Sequence, residues 1–530
     1  MRLIPEGDPL ATFAQFARVN SRQNLIRHVA LALVLTVALL SLSGCRVGPD
    51  YQRPIVATPS EWRWKNSTES GGNAAAQLPA WSVFKDAKLD ELEALAVSAN
   101  QDVSLALARV DEARAMARLS RADFYPQVTA QPDFKRQEQS GNVYLPGISS
   151  FAGPKGAGAI PGFRNPYNDF LVPLAVSYEA DVWGRVRRSV AAGRDRAEAS
   201  VADYDAVRLM TAGEVAANYF ALRSLDTQID ILQRTVKTRQ ESYDLIDQRL
   251  KAGNADDLDL SRASSELENA GVSLVAAKRQ REQVVNALAL LCGKIVSEFT
   301  IEPQLLTAEP PEIPADMPSA LLERRPDVAR GERLLAASCE DIGVAKAAYF
   351  PRLALTATGG FESQDLNHLF IPSSTLWNVA ANLTQPVFTG GRNRAQLDAA
   401  KARYDEALSQ YRQLTLTAFK DVEDALLDMR MLADQAKGIA RSVNSARKVT
   451  QLSTARYEAG RISYFEVVDA QRQQLAIEQQ AAQVLGDRMA ATARLIKALG
   501  GGWSACVVDR PLAKEQACLS AAELISKDSQ

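Results

Sequence analysis

Two proline-free stretches of equal length constrain this chain more than any other feature. From Gly184 to Gly253, and again from Gly391 to Gly460, the sequence runs 69 residues without a proline. As one continuous helix each would be roughly 100 Å long, too long for a compact domain. In the first stretch Leu222, Leu225, Ile229, Leu232, Val236, Tyr243, Ile246 and Leu250 recur at spacings of three and four, with Arg239 the one polar intruder. That spacing is a heptad seam, which supercoils left-handed against a neighbouring helix. The second stretch keeps the seam with smaller residues: Met429, Leu432, Ala436, Ile439, Val443 and Ala446. Composition agrees, since the chain is 46% hydrophobic but only 7% aromatic, and alanine, the best helix former, fills the gap.

The two stretches are parts of an internal repeat. Gly184-Arg185, Arg196, Tyr204, Val215, Arg249, Ala252-Gly253 and Ala263 match Gly391-Arg392, Arg403, Tyr411, Val422, Arg456, Ala459-Gly460 and Ala470 at a constant offset of 207. Earlier in each copy, Asp102-Val103 and Tyr125-Pro126 match Asp327-Val328 and Phe350-Pro351 at an offset of 225. The extra 18 residues of the first copy fall in the Gly/Pro/Ser-rich stretch Ser140–Asn168, which reads as an exposed loop. Each half therefore has the order helix, strand, loop, strand, very long helix, tight turn, helix.

Four segments between the helices alternate with period two. Val172, Leu174, Val176, Tyr178 and Ala180 share one face, opposite Ala175, Ser177, Glu179 and Asp181. Trp377, Val379, Ala381 and Leu383 oppose Asn378, Asn382 and Thr384, and Leu353, Leu355, Ala357 and Phe361 oppose Thr356 and Thr358. Val128, Ala130 and Phe134 oppose Gln127, Thr129 and Asp133. Each segment is about ten residues, the length of a tilted membrane-spanning strand. The same alternation also suits half-buried strands of a soluble sheet. On the membrane reading, four strands cannot close a barrel and an open edge cannot sit in hydrocarbon, so copies must assemble.

The N-terminus favours the membrane. Arg18, Arg22 and Arg27 precede an uncharged apolar run, Val29–Leu42, ending in Leu42-Ser43-Gly44-Cys45. The run, about 14 residues, is too short to span a bilayer and suits a signal peptide. Its end has the form of a bacterial lipobox, with Cys45 receiving the lipid (N-palmitoyl and S-diacylglycerol). Arg46 follows in place of the Asp that retains lipoproteins at the inner membrane. The long n-region, with Glu6 and Asp8, points to a start further in. The expected mature chain keeps one histidine, His368, and four more cysteines. Cys292 and Cys339 read as buried apolar residues. The spacing of Cys506 and Cys518 would permit a small disulfide loop in an oxidising compartment.

Taken together, these features resemble the TolC-like outer-membrane factors, and within them the lipoproteins of tripartite efflux systems. The resemblance is carried by Cys45 with Gly48-Pro49-Asp50-Tyr51-Gln52-Arg53-Pro54, by the Tyr125-Pro126 and Phe350-Pro351 junctions, by Phe388-Thr389-Gly390-Gly391-Arg392, and by Arg456-Tyr457-Glu458-Ala459-Gly460 with Asp469-Ala470-Gln471. It spans essentially the whole mature chain. It implies a mainly α fold with a β-barrel sector: four transmembrane strands plus long coiled-coil helices per protomer. A homotrimer then forms a twelve-stranded barrel in the outer membrane and a helical barrel across the periplasm. The expected parts are a signal peptide 1–44, a lipidated equatorial segment 45–86, a first repeat 87–293, an equatorial linker 294–317, a second repeat 318–500 and an equatorial tail 501–530. The implied partners are a periplasmic adaptor, an inner-membrane pump of the RND type and outer-membrane lipid. Apart from the lipid on Cys45 no cofactor is expected.

The same resemblance assigns site residues. The reversals at Gly253 and Gly460, with Ala252 and Ala459, would dock the adaptor, although a glycine cap alone explains those glycines equally well. Glu466 and Asp469, three apart on one helix face, would ring the periplasmic aperture as copies from three chains and filter cations. Glu466 also lies where the helix dipole favours an acid. Asp259 and Tyr457 resemble a closed-state latch between helices. The family's latch arginine stands two residues past the glycine, whereas here that position is Ile462 and Arg461 is one residue away.

Other functions fit less well. No HExxH, CxxC, GxSxG or P-loop occurs, which leaves little for an enzyme. A net charge of −2 gives no basis for nucleic-acid binding. A periplasmic adaptor or scaffold would have one helical hairpin flanked by small β domains, not a duplicated plan. Within channels, the alternatives to drug efflux are metal efflux, for which the chain has no Met- or His-rich signature, and type I protein secretion.

Overall fold

The computed structural model describes residues 46–64, 81–138, 166–253, 255–311, 313 and 325–501. Cys45, Cys506, Cys518, the signal segment and most of the Ser140–Asn168 loop lie outside them. The chain divides into two compact units. One comprises Met1–Val56, Leu105–Tyr204 and Arg330–Leu414, and the other Ala57–Ser104, Asp205–Ala329 and Thr415–Gln530. Each unit draws on both copies of the sequence repeat.

The helices fall into pairs of equal length. After α1 (Ala87–Ala99) come α2 (Gln101–Ala122), α3 (Arg185–Lys251) and α4 (Asp257–Leu291). Their counterparts are α5 (Pro326–Ala347), α6 (Arg392–Glu458) and α7 (Tyr464–Ala498). α3 and α6 each have 67 residues, α4 and α7 each 35, and α2 and α5 each 22. α3 starts where Asp181 accepts the N–H groups of Val186 (3.0 Å) and Arg187 (2.9 Å), satisfying orphan donors of the first turn. No helix among the described residues is long and apolar enough to cross a membrane.

The first unit holds an antiparallel sheet of β1 (Gln127–Ala130), β2 (Asp133–Gln137), β3 (Tyr167–Ala180), β4 (Arg352–Ser363) and β5 (Thr375–Thr384). β1 and β2 both pair with β3, β3 with β4, and β4 with β5. The first predicted strand is thus two pieces in one line. The break falls at Gln131-Pro132, facing Pro173, where two prolines bring no N–H to the ladder. The predicted loop ends earlier than expected, because Tyr167 and Asn168 already pair with Gln137 and Arg136.

Register decides the character of the two faces. Val172, Val176, Tyr178 and Ala180 stand opposite Phe361, Ala357, Leu355 and Leu353. Leu353, Leu355 and Ala357 in turn stand opposite Leu383, Ala381 and Val379. Val128 and Ala130 meet Val176 and Leu174, and Phe134 stacks on Phe170 at 4.7 Å. One apolar face therefore runs unbroken across the sheet. The other carries Gln127, Ser177 and Thr356 in one row, and Thr129, Ala175, Thr358 and Asn378 in the next. Residues on the apolar face are open to the surroundings of the single chain, Trp377 at 81% and Val379 at 72%.

The N-terminal residues are strapped to this unit around a fully buried arginine. Arg188 donates from Nη1 to the carbonyl of Pro49 (2.9 Å) and to Glu340 (3.0 Å), and from Nη2 to Asp50 (3.3 Å). Arg46 also pairs with Glu340 at 2.6 Å, and the Val47 N–H donates to the carbonyl of Trp183. Gly48, at φ +115°, passes so close that a Cβ would meet the Gly343 Cα at 2.6 Å. Residues 46–56 belong to the sheet unit and 57–64 to the other.

In the second unit the predicted seam is filled. Leu222, Leu225, Ile229, Leu232 and Ile246 are buried, while of the second-copy seam only Ile439 is. The linker after α4 lies along α3: Asp226 accepts from the Gln304 N–H (3.0 Å) and Arg281 (2.7 Å), and Arg223 donates to the Glu302 carbonyl (2.8 Å). Cys292 and Cys339 are buried free thiols, and burial pushes the Cys292 thiol up to about 11.

Candidate gate at the helical tips

α3 and α4 form one antiparallel hairpin and α6 and α7 another, both within the second unit at their turns. Arg281 of α4 reaches Asp226 of α3, and Arg447 of α6 reaches Glu478 of α7 at 2.7 Å. Each hairpin reverses at a left-handed glycine, Gly253 at φ +72° and Gly460 at φ +70°. At Gly460 the cap is a Schellman motif, with the Gly460 N–H donating to Tyr457 and the Arg461 N–H to Arg456, both at 2.9 Å. Ala252, Ala459 and both glycines are exposed.

Behind the turns lies a small core. Ile246, Ala263, Tyr464, Val467 and Val468 are buried there, with Tyr243, Ala255, Leu260, Tyr457 and Ile462 packed against them. It joins α3, α4 and α7. Burial, reinforced by Tyr457, pushes the Tyr464 phenol up to about 12. The Tyr457 ring lies 5.4 Å from that of Tyr464, and the Arg249 guanidinium lies 5.3 Å over it.

Around this core the sequence-derived candidates are brought together unequally. Glu466 and Asp469 are exposed on the first turns of α7, and Asp469 accepts from Gln473 at 3.0 Å. Ser463 makes no side-chain cap, so Glu466 supplies the negative charge of that helix start. Asp259 is held by Arg262 at 3.5 Å, and Arg262 also lies 5.6 Å over the Phe465 ring. Among the described residues no hydrogen bond joins Tyr457 to Asp259 within the chain. Arg461 is exposed beside the turn.

One cluster was only half visible in the sequence. Arg239, the polar intruder of the seam, is buried and donates to the Glu266 carboxylate (3.0 Å) and to the Glu266 backbone carbonyl (2.6 Å). Glu266 also accepts from Arg472 of α7, from Nε at 2.8 Å and from Nη2. Arg239 announced a partner by breaking the heptad. Glu266 and Arg472 carried no such signal, since both stand among the polar residues ordinary for a helix surface.

The fold is that of TolC-like outer-membrane channels. It matches the solved outer-membrane channel OprN with a TM-score of 0.78 at 28% identity, covering 87% of this chain and all of that one. Among sequences, outer membrane protein OprJ of Pseudomonas aeruginosa is 33% identical over 486 residues, 90% of this chain and 97% of OprJ. The cation efflux system protein CusC of Escherichia coli O6:H1 is 32% identical over 470 residues, 88% of this chain and 97% of CusC. The model of the outer membrane efflux protein family matches twice, at residues 93–294 and 317–501. The chain belongs to this family, and it is an efflux channel protein of the outer membrane.

Proposed function

We propose that three copies of this chain close a twelve-stranded barrel in the outer membrane and conduct small toxic molecules outward from an inner-membrane pump of the RND type and a periplasmic adaptor. The observation that carries the reading is the sheet: one apolar face in continuous register across four strand lines, with β1/β2 and β5 each paired on one side only among the described residues. In hydrocarbon such edges would leave backbone groups unsatisfied, and identical neighbours supply the missing partners. A sector of four strands is also below the roughly eight that a small barrel needs.

The lipid anchor is proposed at Cys45. What supports it is the lipobox together with the strap, since Arg46, the next residue, is tied to Glu340 and lies beside Gly184 just past the end of β3. The adaptor docks at the turns around Gly253 and Gly460, and Glu466 and Asp469 line the periplasmic aperture. Both are exposed, and among the described residues neither forms an ion pair, which suits carboxylates that face a pore. The protein itself is passive, and the pump selects the substrate. Intact-complex mass spectrometry of the channel extracted in mild detergent tests the assembly. Three chains, each carrying the acyl mass and losing it in Cys45→Ser, are expected. A monomeric complex would overturn the reading.

A further inference from the structure

The two ends of the sheet differ in character. At one end β3 leads into α3, β4 follows α5 and β5 leads into α6. At the other the strands stop at Gln137, Tyr167, Ser363 and Thr375. Toward this far end the apolar face becomes aromatic. Phe134 of β2 stacks on Phe170 of β3, and Phe361 of β4 meets Phe370 edge-on at 5.4 Å. Phe370 belongs to the connection between β4 and β5, so that connection bends back over the apolar face. It is 68% exposed, and Leu366 of the same connection 61%. A row of exposed rings at the end of an apolar strand face is the signature of a membrane interface.

The five strands hold three cationic side chains, Lys135, Arg136 and Arg352. Arg352 pairs with Glu179 at 2.6 Å and Lys135 with Asp133, and register places both pairs on the polar face. Arg136 differs on both counts. Standing opposite Asn168, it lies on the apolar face, the next residue of that face beyond Phe134 and Phe170. Among the described residues its side chain has one partner, the neutral Asn168, to which it donates from Nη1 at 3.4 Å. The exposed Glu138, two residues on, forms no ion pair among the described residues. A cation at the border of hydrocarbon is strongly disfavoured unless an anion meets it there.

We propose that Arg136 and the aromatic row form a site for a phosphate-bearing lipid of the outer leaflet. The rings lie along its chains just below the headgroup, and the guanidinium holds its phosphate. This rests on the reading of the sheet as a barrel sector, in which the helices enter the periplasm and the far end reaches the outer leaflet. The bond to Asn168 uses one Nη and leaves the rest of the guanidinium fork, whose planar geometry suits a phosphate held by two parallel hydrogen bonds. Lys135 is the internal contrast: it is the adjacent residue, but it faces the other way and its charge is already matched by Asp133.

Native mass spectrometry of the full-length channel in mild detergent tests this, with phosphorylated lipid A and its dephosphorylated form as probes. Wild type is expected to retain the phosphorylated lipid about tenfold more tightly, the effect of one charge-assisted contact per chain. Arg136→Gln loses that preference, and Arg136→Lys, which keeps the charge but not the fork, retains part of it. Lys135→Gln keeps the wild-type preference. Because Arg136 is exposed, these changes disturb no core packing, and assembly is expected to survive them. Equal retention of the two lipids by an assembled wild-type channel would overturn the lipid site and leave the barrel standing. A preference unchanged in Arg136→Gln, or lost equally in Lys135→Gln, would overturn it as well. Dissociation of Arg136→Gln into single chains with the preference intact would give Arg136 to a carboxylate of a neighbouring copy, again overturning the site. A wild-type chain that stays monomeric and retains neither lipid would overturn the barrel reading, and the site with it.

Discussion

Three buried charged residues in this chain meet the same desolvation problem in three ways. Arg188 surrounds itself with a carbonyl and two carboxylates and so fastens the N-terminal strap. Glu266 takes two arginines, one fixed and one exposed. Glu93, on α1, has neither: it is 7% exposed, and among the described residues its Oε1 has no hydrogen-bond partner. It remains protonated instead, pushed up to about 9 by burial and by Asp90. The fold therefore keeps a proton that the unfolded chain releases near the ordinary carboxylate value. Stability from this residue is complete below that ordinary value and is lost as pH rises toward about 9. Glu93→Gln, a neutral isostere, should remove this dependence. Its melting temperature is expected to exceed that of wild type by more at pH 8 than at pH 5. An equal difference at both pH values would refute the assignment.

At the scale of elements, the long helices owe their C-terminal ends to backbone conformation rather than to side-chain caps. Gly253 and Gly460 sit at φ +72° and +70°, and among the described residues nothing lies within 4 Å of where a Cβ would be. Any penalty of substitution there is backbone strain alone, about 1–2 kcal/mol for a residue bearing a Cβ in the left-handed region. Gly460→Ala should therefore speed amide hydrogen exchange at Gly460 and Arg461, whose N–H groups close the Schellman cap. The expected factor is about five to thirty, that energy expressed as a local opening equilibrium. Exchange at the wild-type rate would mean that the cap does not depend on the left-handed conformation. Near the turns the hairpins are joined by aromatic and aliphatic contacts of Tyr464, Val467 and Val468.

For the whole molecule, the assignment of faces carries the membrane reading. Val379 and Asn378 are neighbours on β5, yet register puts Val379 opposite Ala357 on the apolar face and Asn378 opposite Thr358 on the other. If the apolar face meets lipid, Val379→Arg costs about 2–4 kcal/mol per chain near the bilayer centre. Asn378→Arg, on a face lined by water, should be tolerated. Yields of assembled, heat-modifiable channel in outer-membrane extracts are expected to fall sharply for the first and to hold for the second. Equal yields would remove the distinction between the faces.

Much of this protein was determined locally and so could be read from residues alone. Two spans free of proline and bounded by glycine specify long helices whatever they pack against, and period-two alternation specifies which strand residues share a face. Pro132 interrupting the first strand was equally local, but its effect depended on Pro173 arriving opposite the neighbouring Gln131, which only strand pairing decides. The same holds for charges. Arg239 was legible as an exception to its heptad, but its meaning lay in Glu266 and Arg472, residues 27 and 233 positions away. Arg188 gave no warning at all, since an arginine early in a helix is ordinary until Pro49 and Glu340 close around it. Periodicity records how a segment meets its surroundings, whereas a buried ion pair exists only where distant segments converge. The sequence determined the elements and their faces, and the tertiary structure decided which charges would be buried and what would hold them.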